Sequence, residues 1–196
     1  MKTSKKITNR LLPFALAGAL MLMGMGCEEE KSQTAPIEVN VQLLDTLLNE
    51  KQFFNVGEDI VFKYTIKNKG NDRLVWYLSS EFNLHEIFSV YEIIPPNNEN
   101  NQTSYNRIGT PQSGVFNVDF KKGHTIPSNG TLEFKMSWLG DEKFTTFFYN
   151  WDAFPNVNNQ LSVGDYMVEF DQVIDIAGHN QHNVNIKNPF SVIVNN

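Results

Sequence analysis

An all-β sandwich is the fold class that the sequence predicts, and three features predict it. Apolar residues alternate with polar ones at period two, polar turn clusters punctuate the chain, and no long segment carries an apolar stripe at helical spacing. Taken in order, the first strand falls at residues 37–44. In residues 60–66, Ile60, Phe62, Tyr64 and Ile66 alternate with Val61, Lys63 and Thr65, the signature of a half-buried strand. Strands follow at 74–78, 87–94 and 115–120. Leu132, Phe134, Met136 and Trp138 then alternate with Glu133, Lys135 and Ser137. The last two strands fall at 166–170 and 190–194. Turn chemistry separates them at residues 68–72, 127–130 and 163–165, where Asn, Gly, Asp, Pro and Ser concentrate. Residues 43–48 are the nearest approach to a helical turn.

About seven to nine short strands of this kind predict an antiparallel sandwich of immunoglobulin-like type. Such a domain needs about 100 residues, and residues 37–196 supply more, so enlarged loops are expected at 95–114, 139–161 and 171–189. The first is rich in asparagine and is expected to be mobile. The second holds Phe144, Phe147, Phe148, Tyr149, Trp151 and Phe154, and is expected to pack on the sandwich with an added strand at 144–149.

Ahead of the domain lies an address. Lys2, Lys5, Lys6 and Arg10 form a basic start, and an apolar run occupies residues 11–25. As a helix that run would span about 22 Å, short of a ~30 Å hydrocarbon core, and it is broken by Pro13 and glycines. Secretory signal is therefore a better reading than membrane-spanning anchor. The one cysteine of the chain, Cys27, stands where the run ends, in Leu22-Met23-Gly24-Met25-Gly26-Cys27. This resembles a bacterial lipobox, which implies cleavage between Gly26 and Cys27, acylation of Cys27 and attachment to a lipid bilayer. Several acyl chains on one residue anchor stably where one does not. Glu28, Glu29 and Glu30 follow directly. They resemble the export signal of lipoproteins displayed on the outer face of some Gram-negative cells, or else form an ordinary polar tether. The expected location is the outer membrane, facing the exterior, with its periplasmic face as the alternative. Residues 27–36 are too polar to fold and form a leash of roughly 30 Å.

Charge and cysteine count exclude whole classes of function. The chain has 16 basic and 22 acidic residues; residues 1–26 hold four of the basic ones, leaving a net of −10 on the remainder. A nucleic-acid surface needs the opposite balance. One cysteine excludes an intramolecular disulfide framework and any multi-cysteine metal site.

Residues 56–68, a Gly57-Glu58 pair leading into an alternating strand that ends at Asn68, resemble bacterial immunoglobulin-like domains. Three further segments resemble the intracellular proteinase inhibitor (BsuPI) family. They are residues 74–91 with Ser79-Ser80-Glu81-Phe82, residues 125–134 with Trp138, and the turn at 161–166 leading into Tyr166. The resemblance spans residues 56–170 and implies the sandwich fold and a non-enzymatic, protein-binding role. Inhibition of a subtilisin-like protease is the family's activity, whereas the leader at residues 1–26 implies export.

Constellations for chemistry are sparse. His179 and His182 have a spacing that ligates metal on a helix, but Gly178 and the surrounding asparagines read as a hairpin turn, where that spacing loses its meaning. Asp165, Asp171 and Asp175 lack the spacing of a calcium loop. His85 and His124 add no ligand set, and Glu81, Glu86 and Glu92 form no recognisable acid–base pair. No nucleophile elbow, zinc-protease helix or phosphate loop is present. No metal, cofactor or catalytic residue is therefore expected. Trp76 and Trp138 lie on apolar strand faces and read as core. Trp151, with Tyr149 and Phe154, is the expected interaction surface for a protein or, alternatively, a glycan. Asp45-Thr46-Leu47 resembles an O-glycosylation motif of some exported bacterial proteins, or caps a helical turn.

Overall fold

The computed structural model describes residues 34–77, 86–96, 101–116, 123–146, 152–155 and 157–194. The segment read as a signal, with Gly26 and Cys27, lies outside these residues, as do Tyr149, Trp151, His85 and Glu81. No helix among the described residues is long and apolar enough to cross a membrane.

The chain is an all-β sandwich whose strand pairs are mostly antiparallel. One sheet has β3 (Val61–Asn68) at its centre, with β1 (Ile37–Leu44) on one side and β9 (Thr131–Ser137) on the other, both antiparallel. The second is built on a long hairpin of β11 (Gly164–Ile176) and β12 (His182–Ile193). The other edge of β11 takes β5 (Ser89–Ile94) toward one end and β4 (Leu74–Tyr77) toward the other. β6 (Ser104–Gly109) adds to β5, and β8 (His124–Ile126) to β4. β7 (Gln112–Phe116) and β10 (Asp152–Pro155) form a separate pair.

Alternation explains the layering. On β3 the inward residues Phe62, Tyr64 and Ile66 have no exposed surface, and on β11 Tyr166, Val168, Phe170, Ile174 and Ile176 fill every second position except one. The exception is Gln172, whose amide is satisfied by the carbonyl of Glu86 at 3.0 Å. Tyr64 stacks on Phe170 across the sandwich, with ring centroids 4.3 Å apart, while Phe62 and Phe134 pack on Phe88. The Tyr64 hydroxyl has no hydrogen-bond partner, and burial pushes its pKa well above the ordinary value. Trp76 and Trp138 are core residues, as their alternation predicts.

The loops depart most from expectation. Residues 171–189 are not a long loop: β11 and β12 pair from Gly164↔Val192 through Ile174↔His182. Asparagines at 183, 185 and 188 read as loop composition, but they sit in a strand whose backbone pairs with β11 along its length, Asn183 and Asn185 with exposed side chains and Asn188 donating to the Val41 carbonyl at 2.6 Å. Residues 95–114 likewise contain β6, held by backbone pairing and by Arg107, which donates Nε and Nη2 to Glu86 at 2.8 and 2.6 Å. Of the strand expected at 144–149, residues 147–149 lie outside the described residues; the described part holds the end of a 3₁₀ turn (Glu142–Phe144) and an isolated bridge from Thr146 to Lys135, and β10 follows at 152–155. The described residues hold twelve strands. The short ones, β8 and β2 (Phe53–Asn55), carry too few residues for alternation to register. β2 also runs parallel to β12, where an antiparallel arrangement was expected. The chain switches sheets there: Lys51 N still bonds the Leu43 carbonyl, and the next carbonyl, of Gln52, accepts from Ser191 N.

Candidate functional site

The sandwich has two chemically different ends. At the entry pole Thr34 bridges Asn180, and Ala35 N donates to His182 Nε2 at 3.1 Å, so the start of the domain is tied to the tip of the β11–β12 hairpin. The turns at 68–72 and 127–130 share this pole, since Ile37 pairs with Asn68 and Asn68 N bonds the Gly130 carbonyl. Their residues are Asn, Lys, Gly, Asp, Pro and Ser.

The far pole holds the other ends of these strands, and exposed apolar side chains gather there. Leu47 and Leu48 protrude from the turn after β1; Leu47 is 81% exposed. Asp45 knots that turn, accepting from Leu47 N and Asn49 N at 2.8 and 2.9 Å, so it caps a turn as one of its two readings held. Leu48 sits at φ +64°, a left-handed conformation that costs a leucine about 1–2 kcal/mol. Phe53 opens β2, Val56 follows it with its N–H on the Ile193 carbonyl at 3.0 Å, and Ile193 and Val194 are exposed at the end of β12. Ile94 and Val163 lie at the matching ends of β5 and β11. An exposed apolar grouping rimmed by polar residues is the usual mark of an interaction site.

A cavity of about 220 Å³ opens at this pole between the mouth of the core and the strap at 157–162, with Glu92, Ile108, Trp138, Leu161 and Tyr166 among its walls. Side chains pin the strap. Asn158 Nδ2 donates to the carbonyls of Thr110 and Trp138 at 3.0 and 3.1 Å, Trp138 Nε1 donates to the Asn159 carbonyl at 2.9 Å, and Tyr166 Oη to the Ser162 carbonyl at 2.9 Å. Beneath Trp138, the buried Asp59 carboxylate accepts from Ser137 Oγ at 2.6 Å and Leu139 N at 2.9 Å, and Ser137 Oγ accepts from Asp141 N at 2.8 Å. Of these residues, Trp138 and Tyr166 stand out in the sequence. Asn-Val-Asn-Asn-Gln at 156–160 has plain loop composition, and only tertiary contacts make the Asn158 amide structural.

The residues expected to carry function are placed as follows. Phe154 lies in β10, opposite Gly114. His179 and His182 are in a turn and the strand after it, not on a helix, and the Nε2 of His182 is occupied by Ala35 N. Asp165, Asp171 and Asp175 share one strand at intervals of about 20 and 13 Å, too far apart for a single ion. Asp165 instead accepts from Ser191 Oγ at 2.6 Å. Glu86 is paired with Arg107, and Glu92 lines the cavity.

Acid should loosen the entry pole first. Burial, then the neighbouring His179, holds the His182 pKa below its ordinary value. The unfolded chain therefore takes up this proton at higher pH, and stability falls as pH drops through about 6.5. A second loss follows below about pH 4.3. Burial opposes ionisation of Glu169 and Glu86, but bonds from Lys187 and Asn185 to the first, and from Ser89 and Arg107 to the second, hold both pKa values low. Melting temperature against pH should show both steps, and His182→Ala should flatten the upper one; an unchanged slope between pH 7 and 5.5 would refute the assignment.

No family model matches the chain, and no curated protein matches it. Among solved structures it is similar to the ASH/PapD-like domain 7 of human CEP192 (12% identity, 83% of this chain and 89% of that one, TM-score 0.38). It is also similar to the Pseudomonas fluorescens alkylpurine DNA glycosylase AlkC (12% identity, 90% of this chain but 34% of that one, TM-score 0.29).

Proposed function

We propose that the protein is a membrane-anchored lipoprotein whose sandwich is a non-enzymatic protein-interaction domain. Residues 1–26 are removed, Cys27 carries the acyl chains, and the tether that follows meets the entry pole at Thr34 and Ala35, which are bound into the domain. The observation that supports this reading is the segregation of exposed apolar side chains at the far pole, as with Phe53, 62% exposed, and Val194, 63% exposed. A domain leashed at one pole turns the other away from the bilayer, toward partners. Exposure on the outer face of the outer membrane is the arrangement that gives this pole most access; the periplasmic face would serve a partner inside the envelope. In the proteinase-inhibitor form of the reading, the inserting element is the segment joining β5 to β6, whose described ends, Ile94 and Ser104, lie at the same pole.

Crosslinking on intact cells with full-length protein tests the proposal. Cys27→Ser should move the protein from the membrane to the soluble fraction. Phe53→Ser with Val194→Ser should keep it in the membrane and abolish the dominant protein crosslink. If that crosslink survives the double substitution, the far pole is not the interaction surface. Stoichiometric loss of subtilisin-type activity on adding the purified protein would specify the inhibitor form.

A further inference from the structure

Each half-buried glutamate among the described residues has a cation beside it, with one exception. Glu58 is held by Lys51 at 2.6 Å, Glu86 by Arg107 at 2.6 Å and Glu169 by Lys187 at 3.0 Å. Glu92 has no such partner. Its one hydrogen bond within the described residues comes from Asn106 Nδ2 at 3.5 Å, the limit of a useful contact. Strand register explains its position: Glu92 pairs with Tyr166, so its side chain lies on the core-facing side of β5, two residues beyond the fully buried Val90. It is the carboxylate at the open end of the core.

The cavity beside it matches one kind of guest. At about 220 Å³ it is smaller than the ~300–1,000 Å³ of sites for whole small molecules. Its walls mix apolar Ile108, Leu161, Trp138 and Tyr166 with amide and hydroxyl groups that make up the larger part of its surface, and Glu92 supplies the charge. A cation on a slender stem fits such a lining, its head on the carboxylate and the neighbouring amide oxygens and its stem along Ile108 and Leu161. A sugar fits it poorly, because Trp138 is only 2% exposed and offers no open ring face. The strap bonds hold the walls in place before a ligand arrives, which lowers the ordering cost of binding. Charge around the socket points the same way. Asp45, Glu50, Asp59, Glu142 and Asp165 at the far pole lack an ion-pair partner among the described residues, while the far-pole cations Lys51 and Lys143 are already paired.

We infer that the Glu92 socket receives a lysine or arginine side chain from a partner protein, the flanking residues of that segment resting on the exposed apolar rim at Ile94 and Val163. This rests on the interaction reading above and names the chemistry of its partner.

The test uses full-length protein and N-acetyl-lysine N-methylamide as probe, followed through the indole N–H signal of Trp138. A saturable shift at millimolar concentration is expected, weakened at least about fivefold in Glu92→Gln. Ile108→Lys, which places a cation at the mouth from an exposed position, should abolish it and serves if Glu92→Gln fails to fold. An equal response to the norleucine analogue, a response to methyl glucoside instead, or no saturation would each overturn the socket. If the probe fails while Phe53→Ser with Val194→Ser still removes the crosslink, the socket is wrong and the interaction surface stands. If the probe saturates but that crosslink persists, the socket stands and the apolar pole is not the contact surface.

Discussion

Asn68→Ala is expected to destabilise the domain by about 3 kcal/mol. Asn68 has no exposed surface and closes β3 at the entry pole. Its Nδ2 faces three carbonyls, of Asp72 at 2.7 Å, Pro127 at 3.0 Å and Ile126 at 3.2 Å, and its Oδ1 accepts from Gly70 N at 2.8 Å. Alanine would remove the amide's bonds to those carbonyls, of which Pro127 keeps the one from Gly130 N at 2.8 Å, and leave Gly70 N–H without this acceptor, each unmet group costing about 1–3 kcal/mol less what relaxation and solvent recover. Asn68→Asp is the sharper probe. A carboxylate keeps the bond from Gly70 but offers no donor to three carbonyls, so it should be at least as damaging as alanine despite its shape. Denaturant unfolding measures both, and a loss under 1 kcal/mol for Asn68→Ala would show that the two turns are held by their backbones alone.

Asn68 also marks how far sequence carries the fold. Glycine-glutamate, alternating strand, asparagine was legible as a pattern, and each member has a physical reason to be there. Gly57 takes φ +83°, Glu58 accepts from Asn55 N at 2.9 Å and from Lys51, and Asn68 ties two turns together. β1 was readable to the residue because its alternation is uninterrupted. β12 was not, since its polar positions are exposed asparagines and its inward Val184 and Ile186 are only half-buried, which leaves little apolar contrast. β6 is harder still, with exposed side chains along most of its length; a strand that earns its place through backbone pairing to β5 leaves almost no trace in side-chain pattern. The far-pole cavity failed to register for the same kind of reason. Glu92, Asp59 and Asn158 are brought together from segments up to about a hundred residues apart, and no local spacing encodes that.

Asp59→Ala should cost about 2–4 kcal/mol and, unlike Asn68→Ala, should reach the cavity. The Asp59 carboxylate joins the start of β3 to the end of β9 across a separation of 80 residues, accepting from Leu139 N at 2.9 Å as well as from Ser137 Oγ. Ser137 Oγ in turn fixes Asp141 N. Trp138 lies between two of these anchor points, and its indole holds the Asn159 carbonyl of the strap. Removing the carboxylate frees residues 137–141 together, so the Trp138 indole signal should broaden while that of Trp76, in the core beside β8, stays sharp. Asp59→Asn should recover more than half of the stability, because its amide oxygen still accepts from Leu139 N and the serine hydroxyl can turn to accept from the amide. Ser137→Ala should fall between them, since it leaves Asp59 one donor and strands Asp141 N. Equal broadening at Trp76 and Trp138 would mean that Asp59 supports the whole core; a sharp Trp138 signal in Asp59→Ala would mean that the strap is held from Asn158 instead.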